Sequence, residues 1–188
     1  SGAAYGFKIQ HNNDFTHLII RDAGGSTTCS NITIKYLYVQ AQVGVLGTRP
    51  YAIDTDTYSS TIRNPNYWFS HCFVLGSNNP YFVRNTIDPL IEYCASEKTS
   101  GSAQYHGEVV NRFYSSQGTR GGGIVRYCHF RDCYNGASGY VAGGGTGVIA
   151  ISETSGMEIY GNIFESFYVG DGAIAAGWPN VNVKVYNN

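Results

Sequence analysis

Apolar residues recur along the chain in short alternating runs, and several runs share one pattern. Residues 32–37, 67–74, 90–94, 123–130, 157–164 and 183–188 each carry an aliphatic or aromatic residue, two variable residues, then Cys or Asn, with Leu37 in that place in the first run. An aromatic often follows two positions later. Alternation with β-branched and aromatic residues predicts strands. The runs 31–39 and 67–74 read as single strands. Shorter β-prone runs lie at 7–10, 15–20 and 81–83, and Glu108-Val109-Val110 begins another. Residues 147–151 and 172–176 are sister strands. Turns are expected at Gly24-Gly25-Ser26, at residues 77–80, at Asp88-Pro89 and at 117–122. Residues 96–102 read as a polar loop, and 44–60 as a looser insertion. No segment carries a helical period of useful length.

Aligned on the Cys/Asn position, the runs place Leu37, Cys72, Cys94, Cys128, Asn162 and Asn188 in one column. The steps are 35, 22, 34, 34 and 26 residues. Spacings of this size in an all-strand chain signal a stacked repeat. Three residues earlier, Ile34, Phe69, Ile91, Val125, Ile159 and Val185 form a uniformly apolar column, the expected core. The next position reads Lys35, Ser70, Glu92, Arg126, Tyr160 and Tyr186, and is expected to face solvent. Glu92 beside Arg126 would make a cross-strand ion pair. The Cys/Asn column is expected where the chain turns; there an Asn can bond its neighbour's backbone, and a small buried thiol can replace it. A second column aligns His106-Gly107-Glu108-Val109 with Thr146-Gly147-Val148-Ile149 and Asp171-Gly172-Ala173-Ile174. Two columns in coherent order imply at least two sheets.

Composition narrows the class. A 188-residue chain, 43% hydrophobic, is long enough for one domain with a core. Charged residues make up 13%, about half the usual share, while Tyr (16) and Gly (24) are high. That balance suits an extracellular β-rich surface. The net charge of −1 gives no electrostatic case for nucleic acid or an anionic membrane. No apolar run reaches the roughly 18 residues of a transmembrane span. Five cysteines leave at least one unpaired within the chain. Cys128-His129 with Cys133 matches no standard zinc spacing. Stacked Cys72, Cys94 and Cys128 read as small buried apolar residues rather than disulfides, because adjacent rungs set their Cβ atoms too far apart. Asn31-Ile32-Thr33 is an N-glycosylation sequon within a predicted strand.

The pattern Ile159-Tyr160-Gly161-Asn162-Ile163-Phe164 resembles the repeat of right-handed parallel β-helix proteins, over roughly residues 30–188. Their members include pectate- and alginate-type lyases, polygalacturonases, and phage and surface proteins. The resemblance implies an all-β fold: a single-stranded right-handed parallel β-helix of about six coils with open or truncated ends. It also implies polysaccharide as a partner. His106-Gly107 is similar to a polygalacturonase His-Gly motif, without that family's paired-Asp motifs. With Glu108 and Asp171 on one face, His106 would serve as base and a carboxylate as acid. The plain alternative is a set of solvated strand-start residues beside glycine turns. Lyases that resemble this fold set Lys or Arg against a uronate, with Tyr or His nearby. Arg126 is the candidate here, with Lys98, Arg120, Arg131 and Tyr127 around it. The alternative is a tyrosine ladder covering the sheet, with Arg131-Asp132 a local pair. Tyr36, Trp68, Tyr93, Tyr127, Tyr160 and Trp178 form a candidate sugar-stacking stripe. A Ca²⁺ site needs clustered carboxylates, and Asp54 with Asp56 is the one close pair. No cofactor is therefore expected.

Two function classes follow. One is an extracellular module that binds or processes polysaccharide. The other is a structural subunit of a surface, spike or fibre, stacking end to end through open strand edges.

Overall fold

A computed structural model describes residues 6–10, 18–19, 30–40, 51–54, 64–77, 79–83, 86–101, 109–112, 121–135, 148–151, 155–168, 172–176 and 182–188. The described chain is all-β, and every strand pairing in it is parallel. It contains no helix, hence none long and apolar enough to cross a membrane.

Three six-stranded sheets dominate. The first holds Ile32–Lys35, Tyr67–Ser70, Leu90–Glu92, Gly123–Arg126, Met157–Tyr160 and Lys184–Tyr186. The second holds Phe7–Gln10, Leu37–Gln40, Phe73–Ser77, Ala95–Gly101, His129–Asn135 and Ile163–Tyr168. The third holds Leu18–Ile19, Tyr51–Asp54, Asn79–Phe82, Val110–Arg112, Ile149–Ile151 and Ile174–Ala176. A two-stranded sheet pairs Asn64–Pro65 with Thr86–Ile87. The chain visits the first, second and third sheets in that cyclic order, and the strands of each sheet lie side by side in chain order.

The apolar column expected from the repeat is present rung by rung. Ile34 pairs Phe69, Phe69 pairs Ile91, Ile91 pairs Val125, Val125 pairs Ile159 and Ile159 pairs Val185. Phe69, Ile91, Val125 and Ile159 are buried, each contributing roughly 1.5–3 kcal/mol by leaving water. Val185, on the outermost strand of the first sheet, is exposed. Leu37, Val39, Val74 and Phe130 from the second sheet join the same core, as do Ile53, Tyr81, Val110 and Ile149 from the third. Tyr81 is fully buried, and its hydroxyl donates to the carbonyls of Cys72 and Ala95, both at 3.2 Å. That bond satisfies the polar tip and ties the third sheet to the second.

Several sequence expectations change. The runs 31–39 and 67–74 are each two strands in two sheets, broken at Tyr36 and His71, and residues 123–130 divide likewise at Tyr127. Residue 102 of the expected loop lies outside the described residues, but 96–101 are strand, since Ala95–Gly101 pairs with strands on both sides. Its polar side chains hid a backbone with ladder partners available. Residues 77–80 are no simple turn, since Asn79–Phe82 is a strand. The column expected to face solvent does so only in part. Ser70 and Glu92 are buried, and Arg126 and Tyr160 are half-buried. The second column holds between Ile149 and Ile174 but is displaced by one residue at its first member, where Val110 rather than Val109 pairs Ile149. Alternation along a strand makes a one-residue shift a change of face.

Among the described residues, twelve non-glycine residues have left-handed backbones, and they fall into three register rows. Asn31, Asn66, Asp88 and Asn182 precede the first sheet, in a row with Gly156. Lys98, Asp132 and Ser166 interrupt the second sheet, in a row with Gly76. Tyr36, His71, Tyr93, Tyr127 and Asn187 form the corner from the first to the second sheet, in a row with Gly161. The first row uses the residues that tolerate this conformation best. The third uses bulky aromatics, for which it is unusual.

Candidate functional site

The corner between the first and second sheets gathers most of the described candidate residues. Tyr36, His71, Tyr93 and Tyr127 project from successive rungs. Their ring centroids are separated by 5.1, 5.2 and 5.4 Å, at interplanar angles of 33°, 29° and 22°. The rings are half in water, with Tyr36 45%, Tyr93 50% and Tyr127 47% exposed. Their faces lie against each other, so the row presents ring edges outward. Those edges are the positive rim of the aromatic quadrupole.

The row changes course at Gly161. A Cβ there would lie 2.7 Å from the Tyr127 ring. Glycine therefore admits the ring as well as the left-handed backbone, φ 65°. The aromatic track then steps onto the outer face of the first sheet. Tyr127 meets Tyr160 edge-on at 5.6 Å, and Tyr160 stacks on Tyr186 at 4.8 Å and 7°. Six rings thus form one continuous track.

Arg126 stands at the step. Its Nε and Nη2 donate to Glu92 Oε2 at 2.9 and 2.6 Å, and its Nη1 donates to the Tyr160 hydroxyl at 2.9 Å. The other Glu92 oxygen accepts from Trp68 Nε1 at 2.9 Å, and Lys35 Nζ lies 3.4 Å from the centroid of the Trp68 ring. Tyr160 and Glu92 together hold the Arg126 guanidinium protonated, above its usual range. Three of the five guanidinium N–H donors go to these described partners. The expected ion pair between Glu92 and Arg126 is present, but Glu92 is buried rather than exposed. A carboxylate there needs both its partners.

Behind the corner, the Cys/Asn column is in register from Leu37 to Asn188. The thiols of Cys72, Cys94 and Cys128 donate to the carbonyls of Ser70, Glu92 and Arg126, two residues back. Each thiol thus reaches across the left-handed residue between. Cys133 does the same across Asp132, to Arg131. All four are buried and free. The Cys94 thiol and then burial push the Cys72 thiol well up, burial pushes up Cys94, and burial pushes Cys133 up to about 12. These are inert structural thiols. Asn162 replaces the thiol with an amide that donates to Val125 and accepts from the Cys128 N–H, both at 3.0 Å. Asn188 repeats the bond to Ile159 one rung on, at 3.1 Å.

The remaining candidates are scattered. His106, Glu108, Asp171, Trp178, Arg120, Asp56 and Cys29 lie outside the described residues, as does Thr146. Arg131 pairs with Glu97 across the rung at 2.7 Å, rather than with its neighbour Asp132. His129 meets Glu165 at 2.9 Å on the exposed second sheet. Asn31 lies in the turn before its strand, not within it. It is exposed, and its side-chain carbonyl accepts from Asn66 at 2.9 Å. Among the described residues, no three His, Cys, Asp or Glu side chains are placed to hold a metal ion. A cleft of about 480 Å³ lined by Asn162, Ile163, Phe164, Ala173, Ile174 and Asn188 contains no titratable side chain. Sequence reasoning missed His71 and Gly161 as members of the track. Their signal was position alone: each immediately precedes the Cys/Asn column.

No protein-family model, curated protein or solved structure matches the chain.

Proposed function

We propose that the chain is a right-handed parallel β-helix module that binds polysaccharide outside the cell, along the aromatic corner. The cyclic visiting of three parallel sheets supports the helix, and parallel crossovers in one sheet are right-handed in about 98% of cases. The observation that carries the binding reading is the corner row itself. At the neighbouring row of left-handed positions the chain uses Asn, Asp and Gly. At this corner it uses Tyr, His, Tyr and Tyr, and leaves about half of each Tyr exposed. A left-handed backbone costs roughly 1–2 kcal/mol at a non-glycine residue. Half-exposed rings recover only part of that by stacking. Backbone outliers of this kind mark functional surfaces.

The row suits a repetitive, hydroxyl-rich ligand. Ring edges and tyrosine hydroxyls recur once per rung, about 4.8 Å apart. An extended sugar chain offers oxygen acceptors and apolar C–H patches in a similarly regular series. Arg126 adds a half-exposed cation beside Tyr127, 5.7 Å from its ring centroid. Its charge is held in place by Glu92 rather than left free to grip an acid group.

Affinity electrophoresis in gels containing neutral or acidic polysaccharides tests the reading. The intact protein is expected to be retarded by at least one polymer. The double variant Tyr93→Ala, Tyr127→Ala is expected to bind about tenfold more weakly at an unchanged melting temperature. Equal retardation of both proteins, or none by any polymer, overturns it. Ultraviolet-absorbing unsaturated product would move the reading from binding to cleavage. Long filaments in negative stain, without retention, would favour a structural subunit.

A further inference from the structure

We propose that His71 makes this corner pH-sensitive, so that it binds anionic polysaccharide more tightly in acid than in base. The inference rests on the reading of the corner as a polysaccharide site and adds its regulation. His71 occupies the second place in the row, between Tyr36 at 5.1 Å and Tyr93 at 5.2 Å. Tyrosine fits that geometry, as Tyr93 and Tyr127 show one and two rungs on. A phenol can gain charge only by losing its proton, as an anion, whereas an imidazole gains charge by binding one, as a cation. The imidazole is therefore the one ring of the row able to become a cation.

The surroundings let the charge act outward. On its own strand, Ser70 Oγ lies 2.8 Å from Nδ1 and serves either as donor or as acceptor. The rungs on either side present Tyr36 and Tyr93. The charged side chains flanking those rungs are engaged elsewhere. Lys35 sits over Trp68, and both Glu92 oxygens are taken by Trp68 and Arg126. Protonation thus places a cation between two ring faces, where cation–π attraction retains it. In the imidazolium both ring nitrogens are donors. The new charge is directed at whatever lies along the corner. An exposed charge of this kind alters affinity about two- to fivefold.

Dextran and dextran sulfate serve as matched probes, since the sulfate esters stay ionised throughout the range. Affinities are measured from pH 8 to pH 5. Dextran sulfate is expected to bind about two- to fivefold more tightly at pH 5, with dextran affinity flat. His71→Tyr is expected to bind both polymers with no pH dependence. His129→Gln, which removes the exposed pair on the second sheet, is expected to keep it. Without polymer, the near-ultraviolet circular dichroism of the tyrosines is expected to titrate in the native protein and not in His71→Tyr. A pH response that survives His71→Tyr, or flat binding in the native protein, overturns the switch and leaves the binding site standing. Absence of binding to any polymer, with the dichroism still titrating, overturns the site rather than the ring's protonation.

Discussion

Gly161 shows how much one position in the corner decides. Its φ of 65° lies where only glycine is at ease, and its missing Cβ is where the Tyr127 ring rests. The two demands are independent, since one concerns the backbone and the other the neighbouring rung. Gly161→Ala therefore meets both strain and a clash. It is expected to destabilise the protein by roughly 1–3 kcal/mol, read as a lower urea midpoint at constant slope. It should also displace Tyr127 and weaken polymer retention. Asn187, one rung on with φ 53°, has no such ring recorded over it. Asn187→Ala is expected to show the smaller backbone cost alone. An equal cost at both positions would mean that the ring contact contributes nothing.

Between strands, the paired side chain is the unit of stability, and the Glu92–Arg126 pair is the strongest on the first sheet. Glu92 is 7% exposed and Arg126 30%, so solvent screens the guanidinium but little of the carboxylate. A fully buried pair broken on one side costs about 3–5 kcal/mol, and the partial exposure lowers that here. Arg126→Met is expected to cost roughly 1–3 kcal/mol, because it strands a buried carboxylate. Glu92→Leu with Arg126→Met should cost less than the sum of the single changes. A double-mutant cycle in urea measures the coupling, and additive losses would show that the pair is not coupled. The Cys/Asn column is a second cross-strand device. The thiols of Cys72, Cys94 and Cys128 add a second donor to carbonyls that already accept an N–H from the neighbouring rung, and the Asn162 amide takes the Cys128 N–H.

At the scale of the whole molecule, the pairings are all non-local. Successive rungs of the first sheet are joined through both other sheets, so no hairpin can form early. Loop closure must therefore precede the contacts that reward it. Folding is expected in milliseconds to seconds or slower, despite the absence of cis peptide bonds among the described residues. Stopped-flow tyrosine fluorescence checks this, and a microsecond phase carrying the whole amplitude would contradict it. The same geometry lets the track exist at all. Rings 22 to 35 residues apart in sequence become neighbours only because the rungs repeat in register.

What the sequence determined by itself is the repeat and its register. The apolar column from Ile34 to Val185 and the Cys/Asn column from Leu37 to Asn188 are both readable by alignment. Burial of one face leaves an unambiguous periodic mark in residue type. The turn beside the Cys/Asn column is readable too, but the backbone hand and the ring row at that corner left no such mark. Tyr36, His71 and Tyr127 sit inside runs that alternate like single strands, because a left-handed residue breaks a strand without changing its hydrophobic pattern. Glu92 looked like a surface charge, because the Trp68 and Arg126 groups that satisfy it come from other rungs. Tertiary structure alone decided that Tyr36, His71, Tyr93 and Tyr127 stack into one half-exposed row, and that Gly161 turns the track onto the sheet. Ring contacts and backbone hand arise between rungs, where a linear pattern carries no information about geometry.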